Sequence, residues 1–510
     1  MAKVVTTIML PLLLFLLMFC ISLNNGGRVH SLEESMVMLN HAQISRRHRQ
    51  QQHSIQACIL PDSRRKNSAI ILEMKEQEEC PPPEEEQQKI KIDYWKKRIM
   101  LDDLRVRSMQ NMFQRIMSSN NQNLLSLEAS KSSQIPLNLG QNFNILNYVV
   151  TLQLGNQKRT MIVDTGSDIS WVQCEPCRSC YNQKESLFNP LTSPSYQSVP
   201  CNSKPCQTLH NTNQPIFCNK LNNYNTTCDY VVNYGDGSIS MGELGTENVT
   251  LGDMSLNNIV FGCGRENKGM FGNSSGVLGL GRGPLSLASQ GSDKFGGVFS
   301  YCLPFSMNGE TSGSLVFGDE PLAFNNLTPI AYTKMVQNPF LPNHYMLNLV
   351  GIQVGVLGIS IGYGREVVID SGTVITRLPP SIYNMLKEAF LRQFKGYSRV
   401  PGVAILDTCL DLKGTQQVTV PNIRMIYEGE EGNNNNNAVL NVDPSGVLII
   451  VREDGSHDLK FCLPFASLSY DHEVPIIGNL QQRNNRVIYD TKLSRVGFAK
   501  ERCSFNGMVS

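Results

Sequence analysis

The stretch MIVDTGSDISWVQC, residues 161–174, places the carboxylate of Asp164 directly after three apolar residues. Residues 367–379, VVIDSGTVITRLP, repeat this pattern around a second acid, Asp370. A single Asp-Thr-Gly would indicate an exposed turn, because Asp and Gly are common turn residues. Two copies far apart in the chain indicate instead two similar lobes, each of which presents one acid-bearing loop.

The first residues have the layout of a secretory signal peptide. Lys3 precedes an apolar run that is closed by small and polar residues. The run is long enough to leave a membrane anchor as an alternative, but Pro11 and the lack of basic residues just after it favour cleavage. No later stretch is apolar enough to span a bilayer. We therefore predict that residues 1–25 are a signal peptide and that the protein is secreted, with no membrane attachment after signal cleavage; the apoplast, the vacuole and other secretory destinations stay open.

Cysteine and sequon usage agree with export. Of the 15 Cys, three precede residue 174, which leaves an even set from Cys174 onward. An even set in an exported chain predicts disulfides. Glycosylation sequons occur at Asn225, Asn248, Asn273 and Asn326. The formal net charge is +1, so electrostatics give no argument for nucleic acid as a partner, and we predict none.

Residues 26–140 are largely polar and cannot form a large core alone. One part is amphipathic: from Ile92 to about residue 117, apolar residues recur at steps of three, four or seven and fall on one helical face. These residues are Trp95, Ile99, Val106, Met109, Phe113 and Ile116. The helix is either part of a linker or part of a removable pro-segment that covers the rest of the protein, and the export signal favours a pro-segment over residues 26–140.

From residue 147 the chain changes to short runs rich in β-branched and aromatic residues, separated by Gly, Asn, Pro and Asp. Predicted strands include NYVVTLQLGN, SGSLVFGD, YMLNLVGIQVG and NRVIYDTKLSRVGFA. The clearest helix is PPSIYNMLKEAFLRQF, with Ser381 as its cap. The region is too long for one β core of ordinary size. We predict an all-β fold of two lobes, residues 147–336 and 342–505, with the functional site in the cleft between them.

Nearly all of residues 147–505 resembles the pepsin-like aspartic proteases, and in detail their plant nepenthesin-type group. The two Asp motifs resemble the active-site loops, and NYGDGSISMGELGTE, from Asn233, resembles the flap hairpin over the cleft, with Trp171 in place to support its tyrosine. GVLGLG, residues 276–281, and PIIGNL, residues 475–480, resemble the strands that cross behind each aspartate. CEPCRSCYNQ, from Cys174, resembles the cysteine-rich insertion of the plant group.

This resemblance implies a pepsin-like bilobal fold and a monomeric endopeptidase that acts on proteins or peptides without a cofactor or a metal. Asp164 and Asp370 would be catalytic. The substrate-binding residues would be Tyr234, Gly235 and Asp236 from the flap and Gly166, Gly372 and Thr373 from the active-site loops. Pairing of Cys409 with Cys462 in the C-terminal lobe is also implied, with most of the N-terminal cysteines paired among themselves.

The residue chemistry supports the same function. Two carboxylates at close range do not both ionise easily, so they share a proton and titrate as a pair. One can then act as a general base on a bound water while the other donates a hydrogen bond to the peptide carbonyl. We predict amide hydrolysis at acidic pH, without a covalent intermediate.

Three alternatives need comparison with this prediction. CEPCRSC suggests zinc binding, but no paired His or second close cysteine cluster completes a ligand set. GLGRGP is a poor phosphate loop, because Pro284 follows and no helical period comes after it. The more serious alternative is a catalytically inactive pepsin-like binding or inhibitor protein, which the fold alone does not exclude. The completeness of both Asp motifs favours the enzyme.

Overall fold

The computed structural model describes residues 36–40, 63–66, 69–76, 94–119 and 147–503, apart from 212–215, 220–226, 235–236, 253, 270, 306–312, 320–327, 416, 431–435 and 453–458. The predicted signal peptide, the sequons at Asn225 and Asn326 and the flap residues Gly235 and Asp236 lie outside the described residues.

Ahead of residue 147 the described elements are three strands and one long helix. They are β1 (Met36–Asn40), β2 (Ser63–Lys66), β3 (Ala69–Glu76) and α1 (Tyr94–Ser119). The helix predicted near residues 92–117 is therefore present. Of the residues predicted for its apolar face, Ile99, Val106, Met109 and Phe113 are buried and Ile116 is half-buried, as expected for one face of an amphipathic helix docked on a partner surface. The side chain of Trp95 lies outside the described residues.

Residues 147–336 form mainly strands with short helices between them. In chain order they are β4 (Tyr148–Leu154), β5 (Gln157–Asp164), β6 (Trp171–Gln173), β7 (Gln197–Ser198), α2 (Lys204–Asn211), β8 (Ile216–Asn219), β9 (Thr227–Asn233), β10 (Ile239–Leu251), β11 (Met254–Lys268), β12 (Gly276–Gly279), α3 (Leu287–Gln290), α4 (Ser292–Phe295), β13 (Val298–Cys302), β14 (Gly313–Phe317) and β15 (Ala331–Lys334). A 3-10 turn spans Pro190–Thr192.

The C-terminal part has the same texture. Its elements are β16 (Met346–Val354), β17 (Leu357–Ile369), β18 (Thr376–Leu378), α5 (Pro380–Gln393), β19 (Ser398–Val400), β20 (Cys409–Asp411), β21 (Gln417–Pro421), β22 (Ile423–Tyr427), β23 (Ala438–Val442), β24 (Ile449–Arg452), β25 (Leu459–Cys462), β26 (Phe465–Ser467), β27 (Ile476–Ile477), α6 (Asn479–Gln482), β28 (Asn485–Asp490) and β29 (Arg495–Lys500), with a 3-10 turn at Pro444–Gly446.

The start of α5 corrects one detail of the sequence prediction. The residue at its cap position is Pro379, and no side chain of that residue bonds the helix. Ser381 lies inside the first turn, where its backbone N–H donates to Asp471 Oδ1 at 2.8 Å. A carboxylate from a distant loop therefore satisfies the helix start, which is a contact that sequence spacing does not reveal.

The strands form an all-β, two-lobed arrangement in which one large sheet reaches from the N-terminal lobe into the junction between the lobes. Its strand order is β15-β29-β28-β13-β14-β3-β4-β5-β12-β6-β11-β10-β9-β8. The last strands of the chain, β28 and β29, thus pair beside β13 and β15 from before residue 336. A second sheet has the order β23-β22-β16-β17-β27-β18-β26 and builds the C-terminal lobe, with a smaller sheet β19-β20-β25-β24 beside it.

The segment ahead of residue 147 contributes to these sheets through its backbone. β3 is antiparallel to β14 over residues 70–74 and touches the start of β4, so it lies between two strands of the large sheet. β1 is antiparallel to β21. This segment is therefore integrated into both halves of the fold, beyond the docking of α1.

Five disulfides are described, and their pairing follows the lobes with one exception. Cys409 pairs with Cys462, as the resemblance implied. Three bridges lie within the N-terminal lobe: Cys174–Cys263, Cys177–Cys180 and Cys206–Cys228. The exception, Cys302–Cys503, ties β13 to the residues after β29. Within the described part of the chain, no helix has the length and apolar content needed to cross a membrane.

Candidate active site

Asp164 and Asp370 occupy equivalent positions at the ends of two buried strands. Asp164 is the last residue of β5, which is parallel to β12 with Gly279 opposite Asp164. Asp370 directly follows β17, which is parallel to β27 with Ile477 opposite Ile369. The apolar residues before each acid are buried in β5 and β17, so these strands anchor each carboxylate at the end of a buried strand. The GVLGLG and PIIGNL segments thus supply the strand behind each aspartate.

The two loops after these strands hold each other through reciprocal hydrogen bonds. The backbone N–H of Thr165 donates to Ser371 Oγ at 3.1 Å, and the N–H of Ser371 donates to Thr165 Oγ1 at 2.9 Å. The Ser371 hydroxyl also donates to the carbonyl of Val163 at 3.1 Å. Since Ser371 retains the hydroxyl that these bonds need, the second motif works with Ser in place of Thr.

Glycine follows in each loop because the opposite carboxylate fills the space of a side chain. A Cβ at Gly166 would lie 2.7 Å from Asp370 Oδ1, and a Cβ at Gly372 would lie 2.1 Å from Asp164 Oδ1. Neither position tolerates a larger residue unless a carboxylate moves. The predicted site residues Gly166 and Gly372 therefore allow the close approach of the two acids.

Each carboxylate is held by matching hydrogen bonds from its own loop. Asp164 accepts from the N–H of Gly166 at 3.0 Å and from the Ser167 hydroxyl at 2.8 Å. Asp370 accepts from the N–H of Gly372 at 2.8 Å and from the Thr373 hydroxyl at 2.6 Å. Thr373, predicted as a substrate-binding residue, is buried and orients Asp370.

The guanidinium of Arg105, on α1, lies between the two acids. Its Nη2 donates to Asp164 Oδ1 at 2.8 Å and to Asp370 Oδ2 at 3.1 Å. The side chains of Asp164 and Asp370 are 2% and 0% exposed, so this cation neutralises charge in a place with little water. One nitrogen atom therefore contacts both members of the dyad.

The pKa values of the two acids move in opposite directions. Burial raises the pKa of Asp164, while Arg105 opposes the rise and neighbouring Asp370 adds to it. Burial also acts to raise the pKa of Asp370, but Arg105, the Thr373 hydroxyl and the Gly372 N–H outweigh it and lower that pKa. In this form Asp370 is the more readily ionised of the pair.

The flap tyrosine is tied to its predicted tryptophan. Trp171 Nε1 donates to the Tyr234 hydroxyl at 2.7 Å, and both rings lie nearly perpendicular to the ring of Phe271 in T-shaped contacts. Burial and then the charge of Asp164 raise the pKa of Tyr234 well above its usual value, so the phenol stays protonated. Gly237 N–H donates to the Tyr234 carbonyl in the turn that follows.

α1 covers this site and packs mainly on the C-terminal lobe. Ile99 is buried in a cluster that includes Val374 and Ile375, directly after the second Asp motif. Val106, Met109 and Phe113 are buried in a second cluster with residues such as Val368 and Ile476. The buried apolar face therefore holds Arg105 against the dyad.

Two contacts along α1 add specificity to this packing. The Gln110 side chain donates to the Val474 carbonyl and accepts from the Val474 N–H at 2.9 Å, as a neighbouring strand would. Phe113 meets the ring of His344 edge-on, with centroids 5.2 Å apart. Burial lowers the pKa of His344 to about 4, so the imidazole facing Phe113 is neutral over most of the pH range.

The role of Arg105 was not predicted from the sequence, although its helix was. The only sequence signal for such a role was weak. It was the presence of charged residues beside the apolar face of a helix that was expected to cover a site with two acids. Asn147, Asn479 and Gln482 were missed as well. Their side chains donate to the carbonyls of Gly372, Ser371 and Asp370, and so brace the second loop from behind.

The cysteines that suggested zinc are oxidised. Cys174 is bonded to Cys263, and Cys177 to Cys180, so CEPCRSC has no free thiolates to offer a metal. Among the described residues, no group of three or more His, Cys, Asp or Glu is placed to hold an ion. The alternative of a zinc site at this motif is therefore wrong.

Comparison with known proteins agrees with this geometry. Two family models match: Xylanase inhibitor N-terminal over residues 148–319, and Xylanase inhibitor C-terminal over residues 344–500. An aspartyl protease family protein of Arabidopsis thaliana is 36% identical over 415 residues, which cover 80% of this chain and 82% of that protein. Aspartic proteinase nepenthesin-2 of Nepenthes gracilis is 32% identical over 391 residues, covering 74% of this chain and 82% of the relative.

Solved structures share the fold. The crystal structure of EDGP aligns with a TM-score of 0.53 at 20% identity and covers 71% of this chain and 92% of that one. Basic 7S globulin from soybean aligns with a TM-score of 0.52 at 21% identity, covering 71% and 93%. Together with the matches of sequence, these show that the chain belongs to the pepsin-like aspartic protease family, in its plant nepenthesin-type group.

Proposed function

We propose that this protein is a secreted aspartic endopeptidase, made as an inactive precursor, that hydrolyses peptide bonds in proteins at acidic pH. The observation that carries the proposal is the completeness of the dyad. Both carboxylates are buried, each is oriented by a hydroxyl and a backbone N–H, and the two loops are fixed to each other. A protein that only binds a partner has no chemical need for this arrangement.

The position of Arg105 indicates where the attacking water binds in the free enzyme. Its Nη2 lies within hydrogen-bond distance of one oxygen of each aspartate. A water at that point would contact both carboxylates. With one acid ionised and the other protonated, the ionised acid accepts a proton from the water as it attacks the peptide carbonyl. The protonated acid donates a hydrogen bond to the carbonyl oxygen, and a proton passes to the leaving nitrogen.

The same contact supports the proposal that residues 26–140 are a removable pro-segment behind a signal peptide at residues 1–25. While α1 is docked, a guanidinium nitrogen occupies the water position, so neither water nor a peptide can reach the dyad. The charge of Arg105 also acts on Tyr234, so α1 lies near the tyrosine beneath which an extended substrate would bind. Loss of α1 is therefore required before catalysis between the lobes of residues 147–336 and 342–505.

The test is proteolysis by the purified full-length chain after acidification, with a denatured protein as the substrate. We expect cleavage that pepstatin blocks and that chelators and serine-directed reagents leave unchanged. Asp164→Asn and Asp370→Asn should each abolish cleavage, because either change breaks the division between base and acid. Their circular dichroism spectra should match that of the parent protein.

The competing function is that of a catalytically inactive binding or inhibitor protein. The two matching family models, which are described as xylanase inhibitor domains, favour testing this alternative. Near-normal cleavage by Asp370→Asn would remove Asp370 from the mechanism. A protein inert at every pH after removal of residues 1–140 would favour the binding function over the enzyme.

A further inference from the structure

The carboxylate of Asp102, one helical turn before Arg105, is bound by three donors from the C-terminal lobe. Its Oδ1 accepts from the N–H of Val374 at 2.6 Å. Its Oδ2 accepts from the N–H of Ile375 at 3.1 Å and from Arg377 Nη2 at 2.9 Å. Asp102 is 5% exposed and is thus nearly enclosed by this site.

All three donors belong to the segment that leaves the catalytic loop at Asp370. The two N–H groups and the guanidinium meet both oxygens of one planar carboxylate, and charged hydrogen bonds of this kind are among the stronger ones in proteins. The bound carboxylate comes from α1, which is absent from the active enzyme if the proposed function is correct. The donors themselves remain with the catalytic part of the chain.

Arg377 loses its carboxylate partners Asp102 and Asp103 when α1 leaves. Its side chain is 1% exposed, and its ion pairs in the described part of the chain are with Asp102 and, at 3.8 Å, Asp103, both on α1. The other contact of its guanidinium is from Nη1 to the Ile375 carbonyl at 3.3 Å. Departure of α1 removes both carboxylates and uncovers the guanidinium, so Arg377 and the two N–H groups can then bind a carboxylate of a substrate.

We propose that Val374 N–H, Ile375 N–H and Arg377 form a subsite for a carboxylate of the substrate, supplied by an Asp or Glu side chain near the scissile bond. This inference rests on the proposed endopeptidase function and names a preference within it. Asp102 precedes Arg105 by three residues, which is roughly 4.5 Å along a helix axis. An extended peptide advances about 3.3 Å per residue, so the acidic side chain lies within about three residues of the cleaved bond.

The surroundings of the subsite describe the rest of the preferred segment. Ile99, one turn before Asp102, is fully buried against Val374, Val403 and Ile449. Removal of α1 leaves an apolar pocket next to the anion site. The preferred substrate therefore carries an aliphatic side chain close to its acidic residue.

The experiment uses the full chain, activated by acid, and a series of peptides cleaved at one fixed bond. Asp or Asn is placed in turn at each of the four positions on either side of that bond, and kcat/KM is measured at about pH 5, where a peptide Asp is ionised. One position should prefer Asp by roughly tenfold, the scale of charged hydrogen bonds. At about pH 3, where the peptide carboxyl is protonated, this preference should shrink.

Variants assign the preference to the subsite. Arg377→Gln should reduce the ratio at that position to within about twofold, and Arg377→Lys should retain part of it. Arg399→Gln, an exposed arginine of the same lobe, makes the same change of charge and should leave the ratio intact. Peptides that end in a free carboxylate or an amide at the preferred position separate a side-chain carboxylate from a chain end.

The outcomes distinguish the two proposals. If no peptide is cleaved, the endopeptidase function fails. If peptides are cleaved but the parent enzyme shows no preference for Asp at any position, the subsite is overturned even when Arg377→Gln cannot be recovered folded. An Asp preference that persists in a folded Arg377→Gln enzyme would also overturn it.

Discussion

While α1 is docked, one guanidinium nitrogen of Arg105 offsets the negative charge of the two buried carboxylates, Asp164 and Asp370. Without Arg105, two buried acids in such close proximity would have to share a proton. With Arg105 present, the pKa of Asp370 is lowered in spite of burial. With α1 docked, Asp370 is therefore the acid that ionises more readily, and its contact with Arg105 depends on pH.

The sign of that dependence follows from the direction of the shift. Because the pKa of Asp370 is lowered when α1 is docked, its carboxylate stabilises docking above its usual pKa, and this contribution is lost as the pH falls through the lowered value. Asp102 acts in the opposite sense. Burial raises the pKa of Asp102, while Arg377 and the Val374 and Ile375 N–H groups oppose the rise. Ionisation of Asp102 therefore weakens docking of α1, and this penalty disappears as the pH falls through the raised pKa. The other ionisable groups that face Arg105 are Asp164, His344 and Tyr234.

We predict that Arg105→Gln weakens docking of α1 by roughly 2 kcal/mol, the scale of hydrogen bonds to charged groups. The full-length variant should then cleave substrate at a higher pH than the parent does, with a shallower dependence on pH. The measurement is the pH at which half of the final activity appears. It is made in the parent background and in an Asp102→Asn background, where the opposing pH dependence of the Asp102 carboxyl is absent.

Arg107→Gln supplies the matched control for that prediction. Arg107 lies on the same helix but is exposed and pairs with Asp103, four residues before it, so its loss should change little. An equal shift in Arg107→Gln and Arg105→Gln would mean that the net charge of α1, rather than contact with the dyad, controls activation.

At the scale of the element, α1 is held by its apolar face as well as by ion pairs. Its described core residues are divided between two clusters of the C-terminal lobe, one near Ile375 and one near Ile476. Burial of such side chains is worth roughly 1.5–3 kcal/mol each relative to exposure. The apolar face therefore provides affinity, while Arg105 and Asp102 fix the position along the cleft.

We predict that Phe113→Ala weakens docking of α1 by about 3 kcal/mol, because it removes a ring that is 1% exposed and packed against His344. Met112→Ala is the control, since Met112 is 41% exposed on the same turn. The readout is the rate at which an added protease cuts the chain within residues 94–119 at neutral pH. Faster cutting is expected for Phe113→Ala alone.

Similar rates for the two variants would contradict a docked apolar face. Acceleration by Met112→Ala alone would show that the opposite face of α1 makes the contact.

Periodicity predicted these elements better than their partners. The apolar steps from Ile99 to Phe113 predicted both the helix and its buried face, because burial of one stripe is a property of the helix itself. The role of Arg105 was not predictable in this way, since a charged residue beside the stripe is ordinarily solvated. The same holds at α5, where the spacing suggested Ser381 as the cap but Asp471, from a distant loop, bonds the helix start.

For the whole molecule, the doubled Asp motif predicted two lobes, and each motif does end a buried strand. What the repeat could not predict is where the lobes join. The strands β28 and β29 lie far along the chain from β13 and β15 but pair with them, and β3 inserts beside β14. Strand alternation gives the faces of each strand but not its neighbour in a sheet. The Cys302–Cys503 bridge was missed for the same reason.

We predict that this bridge contributes more to stability than any bridge of short span. Cys302 ends β13 and Cys503 follows β29, and the two cysteines have a sequence separation of 201. In the chain-entropy model a closure of this span restricts the unfolded chain by roughly 5 kcal/mol, against roughly 1.6 kcal/mol for Cys177–Cys180, which are three residues apart.

The double variant Cys302→Ala, Cys503→Ala should therefore lower Tm several degrees more than Cys177→Ala, Cys180→Ala, measured by calorimetry on the full-length chain at neutral pH. The loss should also depend on the joint between the lobes, because β13 and β28 pair directly beside the bridge and would separate early once it is gone. Cleavage by an added protease in residues 485–503 should rise in the first variant and stay unchanged in the second. Equal losses of Tm would mean that native contacts between β13 and β28 hold the last strands without help from the disulfide, and that the length of the closed loop has little influence on the stability of this fold.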